Sequence, residues 1–320
     1  MFKVLAALLP GVAAYVYFFG AGILLQLAIA SAAAVIGEAG LLALRRKPVA
    51  IFVSDGSALV TAWLIALTLP PIVPWWITAA ASLFAIIVVK HLYGGLGQNP
   101  FNPAMAAFCA MIIAFPALMS QWPPVGLDFG LQLDLILGGE RNLDAITGAT
   151  PLDALRTALH GGQSSATVAS VIGGTREVFG FAGGRGWEWI ALGYLVGGLW
   201  LIQQRVITWH IPVAFIAGLG LTAELFHLLG PDNYASPVFH LATGGAMLGA
   251  FFIATDPVSG ATTPRGKLIF AGSIGLITFV IRSWGAYPDG IAFGVLLLNI
   301  CVPLIDMYTQ PPVFGRKEKS

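Results

Sequence analysis

The chain has 320 residues, of which 57% are hydrophobic and only 10% are charged, and its formal net charge is +1. A soluble globular protein carries about 25% charged residues, so this composition excludes a soluble domain and predicts a chain that folds in lipid. It also excludes a disordered chain, and the small net charge without a basic patch excludes a nucleic-acid partner. The two cysteines, Cys109 and Cys301, exclude a disulfide scaffold and a four-cysteine metal site. We therefore expect no metal site, and any redox cofactor that the chain holds alone should be organic or a haem.

The sequence predicts ten membrane spans, because a membrane helix needs about 20 mostly apolar residues. The first span follows Lys3 closely, as in a signal peptide, but nine further spans without a convincing cleavage site favour a retained helix. We expect an all-α polytopic membrane protein. In chain order the predicted spans are 4–19, 22–44, 56–70, 75–93, 103–119, 187–204, 207–228, 237–254, 266–284 and 288–307.

Basic residues predict the orientation of these spans. With the N-terminus in the cytoplasm, most of the basic residues lie on the cytoplasmic side, as the positive-inside rule requires. Both termini are therefore predicted to be cytoplasmic. The cytoplasmic set is Lys3, Arg45, Arg46, Lys47, Lys90, Arg205, Arg265, Lys267, Arg316, Lys317 and Lys319, and the opposite set is Arg141, Arg156, Arg176, Arg185 and Arg282.

A long segment, 120–186, divides the chain and is predicted to lie on the periplasmic face of the membrane. Its glycines indicate a flexible loop, because no strand–GxGxxG–helix context supports nucleotide binding there. The expected organisation is a first five-helix membrane repeat (1–119), the periplasmic segment (120–186), a second five-helix repeat (187–310) and a basic cytoplasmic tail (311–320).

The two halves of the sequence resemble each other weakly but in the same order. DGSALVTAWLIALTLPP (55–71) aligns with TGGAMLGAFFIATDPVS (243–259), and Tyr93-Gly94 before QNPFNPAMAAF aligns with Trp284-Gly285 before AYPDGIAFGVL. Because each half has an odd number of spans, a duplication would produce inverted repeats with a site near their interface. Two apolar patterns with coincidental Gly and Pro remain the alternative.

Four polar residues lie at or near membrane depth. Glu38 and Glu224 occupy the second span of each half and are candidates for an ion route, because ionised groups in lipid usually face a cavity or a partner. The alternative is that they reach the headgroups or are neutral acids bonded to neighbouring helices. Asn99 and Asn102 precede span 103–119 and could bind a ligand, although a helix cap by Asn102 ahead of Pro103 is the simpler explanation.

Two segments share the pattern D-x-x-[ST]-G-A-T. The first runs from Asp144 through Thr147, Gly148 and Ala149 to Thr150, and the second, 256–262, ends at Thr262. The small residues leave room for a bulky group to approach the last hydroxyl, and the earlier polar residues can shape a turn. Taken by itself the pattern favours an ordinary turn.

Resemblance to a known family changes this interpretation. The pattern is similar to the recognition sequence for covalent flavinylation, in which a flavin transferase joins FMN through its phosphate to the last Thr. The chain as a whole resembles the family of membrane subunits that includes RnfD and NqrB, and without the long N-terminal extension expected of NqrB it is closer to the RnfD members. The matching pieces are LAALLPGVAAYVYFFG, DGSALVTAWLIALTLPP, GQNPFNPAMAAFCAM, DAITGATPLDALR and ATDPVSGATTPRGKLIFAG.

The resemblance implies that Thr150 carries FMN as a phosphoester, with Asp144, Thr147, Gly148 and Ala149 as the rest of the motif. Thr262 is not expected to be modified, because the family's flavin transferase works outside the cytoplasm and the predicted orientation puts 255–264 inside. A second, non-covalent flavin, riboflavin in some members, is expected near Asn99 and Asn102.

The implied function is an electron relay in an Rnf complex of a bacterial inner membrane. Such a complex links reduced ferredoxin and NAD to the movement of sodium ions or protons, and the chain would not be active alone. The implied partners are RnfA, RnfB, RnfC, RnfE and RnfG, together with the flavin transferase and the lipid bilayer. A secondary transporter without a redox cofactor fits ten spans and inverted halves equally well, but it does not explain the motif that ends at Thr150.

Overall fold

The computed structural model describes residues 1–95, 97–138, 148–160, 166–174, 178–287 and 289–311, and it consists of helices joined by loops. Within these ranges the β-structure is limited to two isolated bridges, Trp122 with Gly148 and Phe179 with Gly184. The predicted all-α class is therefore confirmed for the part of the chain that the structure describes.

The helices of the first half include two long apolar ones and several shorter ones. We number α-helices in chain order and mark stretches of π-helix separately. The helices are α1 (Phe2–Phe19), α2 (Gly22–Leu44), α3 (Val49–Val53), α4 (Ser57–Thr68), α5 (Trp75–Leu83), the π-helix π1 (Phe84–His91), α6 (Pro103–Ala114) and α7 (Pro116–Met119).

The middle segment contributes three short helices, and the second half contains the remaining long ones. They are α8 (Phe129–Leu137), α9 (Pro151–His160), α10 (Val168–Gly174), α11 (Trp187–Gln203), α12 (His210–Leu229), α13 (Pro237–Ala242), α14 (Ala246–Leu248), the π-helix π2 (Gly249–Ile253), α15 (Pro264–Trp284) and α16 (Ile291–Thr309).

Five described helices are long and apolar enough to cross a membrane: α1, α2, α12, α15 and α16. They coincide with five of the predicted spans, and α4, α5 with π1, and α6 are shorter apolar helices. A polytopic membrane protein is thus supported by the length and composition of these helices.

Two predicted spans are broken rather than continuous. Span 103–119 bends at Phe115, because Pro116 cannot continue a regular helix and disfavours helical geometry in the residue before it. Span 237–254 opens between α13 and α14, where Thr243 is extended and Gly244 has a φ of +61°. Only glycine adopts that left-handed conformation without strain.

The helices pack as two groups that also contact each other. In the first half α2 packs against α4 and α5, and in the second half α12 packs against α15 and α13. Across the halves, α1 packs along α11 and α6 packs against α16. The first and fifth predicted spans of one half therefore contact the first and fifth of the other.

The α1–α11 contact depends on glycine. A Cβ at Gly197 would overlap the carbonyl oxygen of Ala7, and one at Gly193 would overlap the backbone of Gly11. A Cβ at Gly11 would in turn overlap the Tyr194 ring. Small residues at such contacts let helix backbones approach closely in a membrane.

Four helices run between two cavities, one at each end of the bundle. The start of α1 and the end of α11 line one cavity together with the starts of α4 and α6, whereas the opposite ends of these helices line the other. Thr262 lines the cavity at the start of α1, and Thr150 lines the cavity at the end of α1. We call these the Thr150 end and the Thr262 end.

Candidate cofactor sites at the two ends of the bundle

Thr150 lies immediately before α9, and Pro151 is the first residue of that helix. Its Oγ1 accepts a hydrogen bond from Asp153 N at 3.2 Å, so it caps the helix. Two residues earlier, Gly148 N donates to Trp122 O at 2.9 Å, which ties the motif to the segment after α7. Thr150 is half-buried and Ala149 is exposed. Asp144 and Thr147, the other polar residues of the motif, lie outside the described residues.

The cavity beside Thr150 is small, about 120 Å³, and mostly apolar and aromatic. Trp187, one of its lining residues, packs edge-on against Trp122 at a ring distance of 5.2 Å. Tyr15 and Tyr194 also line the cavity, and neither hydroxyl has a hydrogen-bond partner among the residues described. Leaving a buried hydroxyl unpaired costs about 1–3 kcal/mol, so a ligand with hydrogen-bonding atoms would suit this end.

A buried ion pair adjoins the same cavity. Asp289 lines the cavity beside Thr150, and its two carboxylate oxygens accept from Arg282 Nε and Nη2, each at 3.2 Å. The Arg282 side chain is completely buried, whereas that of Asp289 is 27% exposed. Neither residue was expected to belong to a site, and the only hint in the sequence is a cation near the end of one span and an acid before the next.

The second copy of the motif has a different local structure. Thr262 donates its backbone N–H to Asp306 Oδ1 at 3.0 Å and its hydroxyl to Asp306 Oδ2 at 2.8 Å. The helix cap is instead the extra residue Thr263, whose Oγ1 accepts from Gly266 N ahead of α15. Thr150 therefore corresponds in structure to Thr263, and the Thr262 hydroxyl is already engaged by a carboxylate.

The start of the second copy is also held by internal contacts. Asp256 accepts a hydrogen bond from Ser259 Oγ at 2.7 Å and another from Val258 N. Burial raises the pKa of the Asp256 carboxyl above its usual value of 3.8, and these two hydrogen bonds partly oppose that shift. The turn that the sequence favours is therefore present here.

The cavity at the Thr262 end is larger, about 590 Å³. It brings together residues that lie far apart in the sequence, namely Asn99, Asn102, Lys90, Asp256 and Thr262. Pockets that bind small molecules usually measure about 300–1,000 Å³. This cavity therefore has room for a small organic molecule.

Asn102 is both a helix cap and a link between the halves. Its Oδ1 accepts from Met105 N at 3.1 Å, so the expected cap of α6 is confirmed. Its Nδ2 donates to Ile253 O at 3.1 Å, and its backbone N–H donates to Asn299 Oδ1 at 3.0 Å. Asn299 Nδ2 then donates to Ser259 O. These contacts connect the broken entry to α6 with π2, α16 and the second motif copy.

Glu38 is buried in a cluster that the sequence did not reveal. Its Oε1 lies 2.6 Å from Lys90 Nζ and 2.9 Å from His91 Nε2, and Lys90 also donates to Ser57 Oγ at 2.7 Å. Lys90 and His91 end π1, whose wide turn lets two consecutive side chains reach one carboxylate. Lys90, predicted to be one of the cytoplasmic cations, is therefore neutralised inside the protein.

Glu224 lies elsewhere. It is an exposed residue of α12, and the structure does not bring it to Glu38. Among the described residues, no group of three or more His, Cys, Asp or Glu side chains could hold a metal ion.

Comparison of the whole chain with known proteins shows the family to which it belongs. The model of the NQR2, RnfD, RnfE family matches residues 1–315. The chain belongs to this family. Similar relatives are named as one of the subunits of an ion-translocating oxidoreductase complex: a protein from Aliivibrio salmonicida is 47% identical over 99% of this chain and 94% of its own length, and one from Vibrio vulnificus is 49% identical over 96% and 92%. A third, from Erwinia tasmaniensis, is 48% identical over 99% and 94%.

Family membership confirms the resemblance found in the sequence. Because the relatives match over nearly their full length, both motif copies lie within the aligned region. The roles of individual residues at either end remain predictions.

Proposed function

We propose that the chain is the membrane subunit of an Rnf-type ion-translocating oxidoreductase complex and that it relays electrons through FMN bound covalently to Thr150. The names of the relatives support the first part. The observation that carries the second part is the contrast between the motif copies. The Thr150 hydroxyl accepts one hydrogen bond and keeps its proton available, whereas Thr262 donates its hydroxyl to Asp306.

The groups around Thr150 suit a flavin that lies against this end of the bundle, since the cavity of about 120 Å³ is below the usual range of about 300–1,000 Å³ for enclosing a small molecule. A phosphate esterified to Thr150 would be held near the N-terminus of α9, where backbone N–H groups favour negative charge. Asp153 in the first turn opposes this attraction. Trp187 and Trp122 offer aromatic surface, and the unpaired hydroxyls of Tyr15 and Tyr194 offer hydrogen bonds. Bound there, FMN would supply one- and two-electron chemistry, while the protein fixes its position and potential.

Attachment requires an activated flavin, because a phosphate monoester does not condense with an alcohol unaided. We infer a flavin dinucleotide donor and a flavin transferase as catalyst. The donor's pyrophosphate bond breaks as the bond between Thr150 Oγ1 and phosphorus forms, the hydroxyl proton is lost, and the nucleoside monophosphate leaves. The net gain in mass is that of FMN less one water.

The test is mass spectrometry and in-gel flavin fluorescence of the full chain, purified from a host that has the transferase. We expect the added mass on the peptide that contains Thr150, with fluorescence lost in Thr150→Val and retained in the matched variant Thr262→Val. Persistent fluorescence in Thr150→Val would show that Thr150 is not the sole anchor. An unmodified wild-type chain would favour a secondary transporter.

We further propose that the cavity at the Thr262 end binds a second, non-covalent flavin such as riboflavin. Its size of about 590 Å³ and its partly polar lining, which includes Asn99, support a polar ring system with a sugar-like side chain. We expect Asn99→Ala to lower the amount of acid-extractable flavin without changing the covalent flavin. Unchanged extractable flavin would exclude Asn99 from the site.

In the proposed complex, electron flow between ferredoxin and NAD drives sodium ions or protons across a bacterial inner membrane, with this chain as one relay among RnfA, RnfB, RnfC, RnfE and RnfG.

Glu38 is the better of the two candidates for the ion route, because it is buried beside Lys90 and one of its oxygens, Oε2, has no partner among the described residues. Glu224 is exposed. Unimpaired formation of membrane potential in Glu38→Gln and Glu224→Gln together would remove both from the route.

We propose that the helices form ten spans in two inverted repeats, with both termini in the cytoplasm and Thr150 on the periplasmic side. Support comes from the matching contacts in the two halves and from the position of the motif copies at opposite ends. Impermeant thiol reagents should label Ala149→Cys from the periplasm only and Thr262→Cys from the cytoplasm only. Labelling of position 149 from the cytoplasm alone would exclude this orientation.

A further inference from the structure

The cavity at the Thr150 end has one charged side chain among the described residues that line it. Asp289 bears this charge, and the other lining residues are apolar, aromatic or neutral and polar. Arg282 does not line this cavity but lines a separate one with Arg156 and Trp284. The carboxylate is therefore the member of the Arg282–Asp289 pair that borders the cavity beside Thr150.

The pair is held rigidly. Besides the two contacts from Arg282, Asp289 accepts hydrogen bonds from Gly245 N at 3.0 Å and Ile291 N at 3.4 Å. Arg282 also donates to the backbone oxygens of His240 and Thr243. Both charges are thus fixed between α13, α15 and α16, and a fixed, partly buried charge acts on its neighbours more strongly than a mobile one in water.

Reduction of a flavin adds negative charge, which a nearby carboxylate disfavours and a nearby guanidinium favours. We propose that the Arg282–Asp289 pair sets the redox potential of the flavin anchored at Thr150, with Asp289 lowering the potential and Arg282 moderating that effect. This inference rests on the proposed function of Thr150. Asp289 and Arg282 act on the flavin through their charges and take no part in covalent chemistry.

The two charges predict shifts of opposite sign. Asp289→Asn leaves the guanidinium unbalanced and should raise the midpoint potential, whereas Arg282→Gln leaves the carboxylate unbalanced and should lower it. A unit charge acting over roughly 10 Å through an effective dielectric constant of about 20 changes the ratio of reduced to oxidised flavin on the order of tenfold. The double variant should return towards the wild-type value.

The measurement is a spectroelectrochemical titration of the full chain, purified from membranes with the subunits that remain bound. Subtracting the Thr150→Val titration isolates the flavin of interest. Asp55→Asn is the matched control, because Asp55 also accepts a backbone N–H at a helix start but does so beside Ser57 at the Thr262 end. It should leave the potential unchanged.

Each outcome decides between the two proposals. A wild-type chain without covalent flavin overturns the proposed function and this inference together. Covalent flavin with shifts in the same direction, or with no shift, overturns this inference alone, because a merely structural disturbance would not depend on the sign of the charge removed. If Asp289→Asn does not accumulate, Arg282→Gln must lower the potential while Arg282→Lys, which keeps the charge, leaves it near the wild-type value.

Discussion

The two copies of the D-x-x-[ST]-G-A-T pattern are close in sequence but differ in what their last hydroxyl contacts. Thr150 caps a helix beside an aromatic cavity, whereas Thr262 donates to Asp306 and leaves the capping role to Thr263. The second copy has one more residue before its proline, and this residue, Thr263, occupies the capping position. The comparison shows that the same sequence pattern leaves its last hydroxyl with different hydrogen-bond partners, according to the chain around it.

The surroundings of the two copies differ in the same way. At the Thr262 end, polar groups contact one another, through Glu38 Oε1 with Lys90 and the Asn102 backbone N–H with Asn299, while Glu38 Oε2 has no partner among the described residues. At the Thr150 end, two tyrosine hydroxyls lack partners among the described residues and one carboxylate borders the cavity. The Thr262 end is thus held largely by polar contacts within the protein, whereas the Thr150 end presents two tyrosine hydroxyls and one carboxylate to its cavity.

The largest effect is expected from a substitution that breaks the internal contacts at the Thr262 end. Glu38→Ala leaves Lys90 as a buried cation without its carboxylate, which should destabilise the fold by about 3–5 kcal/mol. Thermal unfolding in detergent measures this, and the double variant Glu38→Gln with Lys90→Met should recover most of the loss. The matched change Glu224→Ala, at an exposed position, should cost little. Equal costs for the two glutamates would contradict the comparison.

A smaller loss is expected from Asn102→Ala. This change removes the cap of α6, worth about 0.5–2 kcal/mol, and leaves the carbonyl oxygen of Ile253 without that donor. We expect a total cost of about 2–3 kcal/mol in the same unfolding assay. Asn233→Ala, at an exposed loop position, is the control and should be nearly neutral. A neutral Asn102→Ala would show that the Asn102 side chain, including its bond to Ile253, adds nothing to stability.

Asp306→Ala tests why Thr262 differs from Thr150. Removing the carboxylate frees the Thr262 hydroxyl and should cost about 1–2 kcal/mol in lost hydrogen bonds. We expect no flavin on Thr262 even then, because the transferase is proposed to act on the opposite side of the membrane. Mass spectrometry of the Thr262 peptide provides the measurement. Flavin found there would mean that occupancy of the hydroxyl, rather than access, distinguishes the copies.

The smallest effect concerns Asp256. Because burial raises its pKa, the folded state binds the proton more tightly than the unfolded state, and stability falls as pH rises from about 3.8 through the folded pKa. Asp256→Asn removes this dependence. The stability of the variant relative to wild type should therefore increase as pH rises through that window and stay constant above it. A relative stability that decreases with rising pH would contradict the burial of this carboxyl.

Much of the fold could be predicted from the sequence because apolar runs and their Gly and Pro boundaries are local signals. Five predicted spans coincide with long helices, and the cap at Asn102 followed from its position before Pro103. The break at Gly244 was missed although Gly244-Gly245 is a typical breaker, because most of the run 237–254 around it is apolar. Hydropathy does not register the conformation that one glycine adopts.

The contacts of the sites could be predicted only in part. Thr150 and Asn102 stood out through motifs, but the pairing of Glu38 with Lys90 joins residues 52 positions apart. The pairing of Arg282 with Asp289 joins the end of α15 to the segment before α16 and depends on how these helices meet α13. Such pairs arise from packing, for which a single sequence carries no direct signal.

The close contact between α1 and α11 has a consequence for how the protein is made. The groove that receives α1 consists largely of bare backbone at Gly193 and Gly197, and a side chain at either position would block it. During synthesis, α1 leaves the ribosome well over a hundred residues before α11 does. Helix α1 must therefore remain in the bilayer without α11 until most of the chain has been translated. Only then can the two helices pack and assembly be completed.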